Sequence, residues 1–260
     1  MPVVVFRPVD PANASSPKLL VTGAGGFVGA AFVARAGTHA GLSMGSAGWR
    51  ESVAAADFRG ATVVHLAARV HEPRGGDADF DFDNAEKTRV LAEAAAAGGA
   101  ARFVFASTVK VHGEETGATP FQADSPPAPQ DAYARSKWRA EEALRGIAAR
   151  TGLAQVVVRF PLVYGAGVGG NFRSLLRLAG SGAWLPFAAI DNRRSLVHVR
   201  DLAEALWLAA THPGAPGQAF IAAHPERVST PALVEALRLA MGLPRRMFPV
   251  PPALLEAGAA

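Results

Sequence analysis

The run Leu19-Leu20-Val21-Thr22-Gly23-Ala24-Gly25-Gly26-Phe27-Val28-Gly29 sets a short apolar segment against a Gly-x-x-Gly-x-x-Gly turn. Leu19 to Val21 reads as a buried strand, and Gly26 to about Ala36 as a helix. Glycines suit such a turn because a side chain would keep the backbone away from a pyrophosphate. The helix start adds unpaired N–H groups and the positive end of its dipole. Glycine triplets also occur in tight strand–helix turns that bind nothing, so the flanking strand and helix carry the reading. A P-loop is excluded, since no Gly-Lys-Ser/Thr follows.

Outward from this turn, short apolar runs alternate with helical stretches. Thr62 to Leu66, Arg102 to Ser107 and Gln155 to Phe160 read as strands; about Ala85 to Ala97 and Ala132 to Arg150 read as helices. This alternation predicts an α/β fold, a Rossmann-type doubly wound parallel sheet with helices on both faces. The expected organisation is an N-terminal extension over 1–17, a dinucleotide-binding domain over 18–165 and a small, partly interwoven C-terminal substrate-binding region over 166–260. Helical stretches near 172–181, 201–211 and 231–241 furnish the last of these.

With 260 residues, half of them hydrophobic, the chain can bury a substantial core. No apolar run approaches the length of a membrane span, and MPVVVFRP lacks the pattern of a signal peptide, so a cytoplasmic enzyme without membrane insertion is expected. Zero cysteines exclude disulfides and thiolate chemistry, and no metal-ligand set is read. The net charge of +4 comes from arginines spread along the chain, not from one basic block. An anionic small molecule is therefore the expected partner, and nucleic acid is not.

Tyr133-Ala134-Arg135-Ser136-Lys137 holds one of only two tyrosines and one of only four lysines. Four residues make about one helical turn, so both side chains lie on one face. An ammonium there would favour the phenolate, whose ordinary pKa near 10 is otherwise too high for proton transfer near neutrality. The same spacing also suits an exposed tyrosine beside a solvated lysine. Thr108 lies upstream, just after an apolar run.

Together TGAGGFVG, His65-Leu66-Ala67-Ala68, Ser107-Thr108 and Tyr133-x-x-x-Lys137 resemble the extended short-chain dehydrogenase/reductases. Within these the chain is most similar to the NAD-dependent epimerase/dehydratase group acting on nucleotide sugars. The resemblance implies Thr108, Tyr133 and Lys137 as catalytic residues. It implies NAD as cofactor, with NADP not excluded, held by Gly23, Gly26, Phe27, Val28, Gly29, Leu66, Ala67, Ala68, Asn84, Ser107, Lys137, Phe160, Pro161 and Val163. The nucleotide-sugar substrate would meet Thr108, Lys110, Tyr133, Asn171 and Arg194. Val109-Lys110 stand where family dehydratases carry Asp-Glu, which disfavours dehydration and leaves 4-epimerisation or 4-keto reduction. The resemblance also leaves open a homodimer through the helices carrying Asn84 and Tyr133. His198 reads as a structural strand histidine, and Asp201 as the cap of the next helix.

Two departures stand out. No Asp or Glu occurs between Asp10 and Glu51, where an acid holding the adenosine ribose is expected, and Glu51 falls in a helical pattern. The span from Gly29 to Val63 is short, so one strand–helix unit is expected to be lost, with Leu42 to Met44 standing in for a later strand. Arg35 and Arg50 nearby would instead suit a 2′-phosphate, but their positions do not decide for NADP. The resemblance also implies further residues beyond the segment matching MFPVPPALLEAG, so one wall of the substrate pocket is expected to be absent. Two other readings remain open at this point: a degenerate, non-catalytic NAD(P)-binding protein, and a reductase of a hydrophobic ketone.

Overall fold

A computed structural model describes residues 17–70, 76–117 and 119–251. The expected N-terminal extension therefore lies, up to residue 16, outside the described residues. The chain enters as β1 (Leu19–Thr22), α1 (Phe27–Ala36), β2 (Ala40–Leu42), α2 (Trp49–Ala54) and β3 (Thr62–His65). One helical run follows: α3 (Asp77–Phe80), a π-helical turn at Asp81–Glu86, and α4 (Lys87–Ala97). Next come β4 (Arg102–Thr108), a 3-10 turn at Val109–His112, α5 (Ala132–Thr151) and β5 (Gln155–Phe160). The remainder is β6 (Leu162–Tyr164), α6 (Gly170–Gly180), β7 (Leu196–His198), α7 (Val199–Thr211), β8 (Ala219–Ile221) and α8 (Thr230–Ala240).

Two compact units result. The first runs to Pro161 and regains the chain over Val199–Ala222; the second holds Leu162–His198 and the residues from Ala223 onward. The chain therefore passes into the second unit, returns to give the sheet α7 and β8, and leaves again.

In the first unit six strands pair in parallel in the order β2-β1-β3-β4-β5-β8. β1 and β3 are buried throughout, and β4 and β5 almost throughout, as expected for a sheet with helices on both faces. Leu20, Val63, Leu91, Phe103, Phe105 and Leu144 anchor one core cluster. The expected loss is seen on the β1 side. The strand begins at Ala40 rather than Leu42, pairs directly beside β1, and ends the sheet among the described residues. It is thus the second strand in its own place, not a substitute for a later one, and only α2 separates it from β3. Because β2 and β3 flank β1 on opposite sides, the chain reverses direction across the sheet there. That reversal opens a crevice at the strands' C-terminal ends.

The second unit packs α6 against α8, with Ala179, Leu185 and Val234 at its centre and β6 paired in parallel with β7. Arg238 is 1% exposed, and its guanidinium donates to the carbonyls of Ala179, Ala183, Arg245 and Arg246. One buried fork thereby closes the end of α6 and the segment after α8 together.

Candidate active site

The turn after β1 has no room for side chains. Gly23 has φ +70°, and a Cβ there would lie 2.7 Å from the Ala67 nitrogen. A Cβ on Gly29 would lie 2.0 Å from the Gly23 carbonyl oxygen, which already accepts from the Gly26 N–H at 3.0 Å. Gly26 caps α1 without a side-chain bond, so no side chain takes the donors of the first turn. Phe27 and Val28 open the helix. Beyond lies a cleft of about 960 Å³ walled by Gly23 to Gly26, by Gly41 to Gly45 after β2, by Leu66 to Val70 after β3, and by Asp83 and Lys87. A glycine cradle that a Cβ would fill, at a helix start and the sheet's reversal point, fits a dinucleotide pyrophosphate.

A buried relay shapes this cleft from behind. The Thr22 hydroxyl lies 2.6 Å from His65 Nδ1 and accepts from the Leu66 and Ala67 N–H groups, both at 3.2 Å. His65 Nε2 lies 2.8 Å from the Thr88 hydroxyl, which donates to the Asn84 carbonyl at 2.6 Å. With that proton committed, Thr88 must accept from Nε2–H, and Nδ1 must accept from Thr22; one neutral tautomer satisfies every group. Burial, and then the charge of Lys137, lowers the His65 pKa to about 3. The unfolded chain takes up this proton below about 6.5, whereas the folded chain does so only near 3. Stability is therefore lost as pH falls between those values, by about 1.4 kcal/mol per pH unit. Urea unfolding at pH 6.5 and 5.0 is expected to show wild type losing about 2 kcal/mol more than His65→Gln. Equal losses in the two proteins would refute the assignment.

Asn84, expected at the cofactor, spends its amide inside the protein. Its Oδ1 accepts from the Arg69 N–H at 2.8 Å, and its Nδ2 donates to the Arg69 carbonyl and the Ser136 hydroxyl, both at 3.0 Å. It pins the loop after β3 to α5. Ser107 differs likewise: its hydroxyl donates to Glu141 at 2.5 Å in the interior, because alternate residues of β4 face opposite sides of the sheet.

Thr108 ends β4, and its hydroxyl accepts from the Lys110 N–H at 3.3 Å. Tyr133 and Lys137 share one face of α5, whose start is capped by Asp131 accepting from the Ala134 N–H at 2.6 Å. Lys137 is 2% exposed, with Nζ 4.0 Å from the centre of the Phe105 ring on β4. The Tyr133 ring packs edge-on to Phe80. The direction expected for Tyr133 is reversed: burial first, and then the Asp131 carboxylate, raise its pKa above the ordinary phenol value. Burial also brings Lys137 down to about 7, against the opposing pull of Glu141. Desolvation thus works against the lysine charge that the sequence led us to expect.

Lys110, expected at the substrate, is bonded to the Asp131 carboxylate and lies 2.8 Å from Glu114. It ties the turn after Thr108 to the start of the helix carrying Tyr133. Sequence reasoning missed the pair beneath them. Arg159 meets Glu141 through two bonds, at 3.0 and 2.5 Å, and donates to His112 Nε2 at 2.9 Å and the Ala123 carbonyl at 2.7 Å. Only their burial together identifies them. Phe160 ends β5 opposite Thr108, and Pro161 follows. Asp83 and Ser43 of the cleft wall were missed as site residues; Lys87, which stands where the family's Asn-x-x-Gly-Thr segment has its glycine, was seen only as a departure from that motif.

The other expected residues belong to the second unit. Val163 pairs with Val197 between β6 and β7, and His198 ends β7 with its ring edge-on to Tyr164. Asn171 is exposed in the first turn of α6. Arg194 is exposed, and its backbone pairs with Val228. Asp201 lies inside the first turn of α7 rather than at its cap. Among the described residues no cluster of three His, Asp or Glu could hold a metal, and no helix is long and apolar enough to cross a membrane.

The sequence profile of the NAD dependent epimerase/dehydratase family matches residues 19–223. A UDP-glucose 4-epimerase from Vibrio cholerae is 38% identical over 195 residues, 73% of this chain; the chain spans 60% of that protein's length. A dTDP-4-dehydrorhamnose reductase from Mycobacterium tuberculosis is 33% identical over 90% of this chain and 79% of its own. Among solved structures, a short-chain dehydrogenase/reductase superfamily protein from Agrobacterium tumefaciens with bound NAD superposes with a TM-score of 0.76. It is 25% identical and covers 90% of this chain and 85% of that one.

Proposed function

We propose, from the premise that this chain belongs to the NAD dependent epimerase/dehydratase family, that it is a nicotinamide-dependent enzyme that epimerises or reduces C4 of a nucleotide-diphosphate sugar. The observation that carries the reading is the joint placement of Tyr133 and Lys137 on one face of α5, with Lys137 reaching the strand that ends in Thr108. When bound, the dinucleotide supplies the hydride acceptor or donor. Tyr133 takes the proton of the sugar hydroxyl, or returns one to the ketone oxygen. Thr108 donates a hydrogen bond to that oxygen, and the Lys137 ammonium opposes the phenolate charge. Asn171 and Arg194 are proposed to hold the diphosphate, for which a guanidinium offers two parallel donors. A 4-epimerase relative at 38% identity and a 4-keto-sugar reductase at 33% support this chemistry equally.

The test is to incubate the full chain with dinucleotide and UDP-hexoses, and separately with a dTDP-4-keto sugar and reduced cofactor. Products are read by NMR and cofactor by absorbance at 340 nm. Epimerisation is expected to change the sugar with no net change in reduced cofactor; reduction is expected to consume it mole for mole. Dinucleotide binding with no turnover of any nucleotide sugar would leave the non-catalytic reading standing instead. Turnover of hydrophobic ketones alone would exclude both roles given to Asn171 and Arg194. A cytoplasmic location and pairing of two chains through α4 and α5 belong to this proposal, and the mass in solution reads the second.

A further inference from the structure

The dinucleotide reading leaves one question that the cleft wall answers, namely which dinucleotide it takes; the answer rests on that reading. β2 ends at Leu42, so Ser43 is the first residue beyond the strand, the usual place of the carboxylate that receives the adenosine ribose hydroxyls of NAD. Ser43 is exposed and its hydroxyl meets Ser46 at 3.3 Å. Glu51 lies in α2 and is not part of the cleft wall. Among the described residues the wall's one carboxylate is Asp83, and both of its oxygens are engaged: Oδ1 lies 2.6 Å from Lys87 Nζ, and Oδ2 2.6 Å from Arg69 Nε. Among the described residues no carboxylate oxygen of the wall is left for a ribose diol.

Lys87 supplies the opposite chemistry. From the first position of α4 it reaches across to the loop after β2, with Nζ 2.9 Å from the Met44 carbonyl. The faces of Trp49 and Phe82, 5.7 and 5.4 Å away, hold the ammonium in place. An ammonium has three donors, and Met44 and Asp83 take two. Lys87 is 8% exposed, so its charge is less screened than that of a surface lysine. Among the described residues the wall sets two cations, Arg69 and Lys87, against one carboxylate. We infer that this cleft selects NADP(H) over NAD(H), with Lys87 the specificity-determining residue and the 2′-phosphate its ligand.

The test compares dissociation constants of NADP⁺ and NAD⁺ for the full chain at one ionic strength, by calorimetry. NADP⁺ is expected to bind at least tenfold more tightly. Lys87→Met is expected to remove that preference and Lys87→Arg to keep it. Lys87→Met also strips a partner from Asp83, so Ser43→Asp provides an arm that spares the interior. It is expected to weaken NADP⁺ at least tenfold while leaving NAD⁺ unchanged or tighter. Wild-type protein binding NAD⁺ as tightly as NADP⁺, or Ser43→Asp weakening both alike, would overturn the inference alone. If neither dinucleotide binds, the dinucleotide reading falls with it.

Discussion

Gly29→Ala is expected to cripple dinucleotide binding and lower thermal stability together. The added Cβ would sit 2.0 Å from the Gly23 oxygen, 2.8 Å from the Gly23 carbon and 2.9 Å from the Ala24 carbon. All three are backbone atoms, so no side-chain rotation relieves the overlap; α1 must withdraw from the turn or the turn must unwind. Overpacking of a well-filled interior typically costs about 1–3 kcal/mol, and a forced backbone shift stands at the upper end of that range. The binding effect is expected to be larger, because the displaced turn is what lines the cleft. A loss of at least about a hundredfold in affinity, or roughly 2.7 kcal/mol, should appear in a titration followed by tryptophan fluorescence. Gly25→Ala is the control for stability, since its Cβ meets nothing within 4 Å and its melting temperature should stay near wild type. Gly29→Ala binding within tenfold of wild type would mean that the ligand does not use this turn.

Tyr133→Phe is expected to lower turnover by about a thousandfold, within the range for loss of a general acid–base group. Affinity for dinucleotide should stay within a few fold. The ring is retained, so the edge-on packing against Phe80 persists and only the proton-carrying oxygen is removed. The two kinetic constants separate the roles: a group acting on the reacting proton moves kcat, whereas a group that merely shapes the cleft moves KM. A variant keeping a tenth of wild-type kcat would remove Tyr133 from the chemistry. The raised pKa of Tyr133 sharpens the measurement. Its burial beside Asp131 demands an opposing positive charge, the role proposed for the Lys137 ammonium.

Much of this was legible in the chain itself. The glycine turn, the strands at β1, β3, β4 and β5 and the long helix α5 fall where apolar runs and helical periodicity put them, because each is settled by local pattern. The three-residue strands were not legible. Ala40–Leu42 has two exposed residues of three and no alternation to read, and exists as a strand because β1 offers it hydrogen bonds. For Asn84 and Ser107 the positions were legible but their internal hydrogen-bond partners were not. Whether a buried amide or hydroxyl faces a cleft or the interior depends on which partner lies across from it, and those partners are 52 and 34 residues away. The Arg159–Glu141 pair was invisible for the same reason, its members lying 18 positions apart.

Sequence alone determined the sheet's class, the glycine turn after β1 and the tyrosine–lysine spacing. Each is a property of adjacent residues, fixed by sterics and helical pitch before any tertiary contact forms. Tertiary structure decided the charges. It carried Lys87 into the cleft wall, paired Asp83 with Lys87 and Arg69, buried Lys137 over Phe105 and turned Asn84 inward. Desolvation and pairing depend on what surrounds a group in space, so the same side chains acquire their protonation and their roles only when the sheet brings distant segments together.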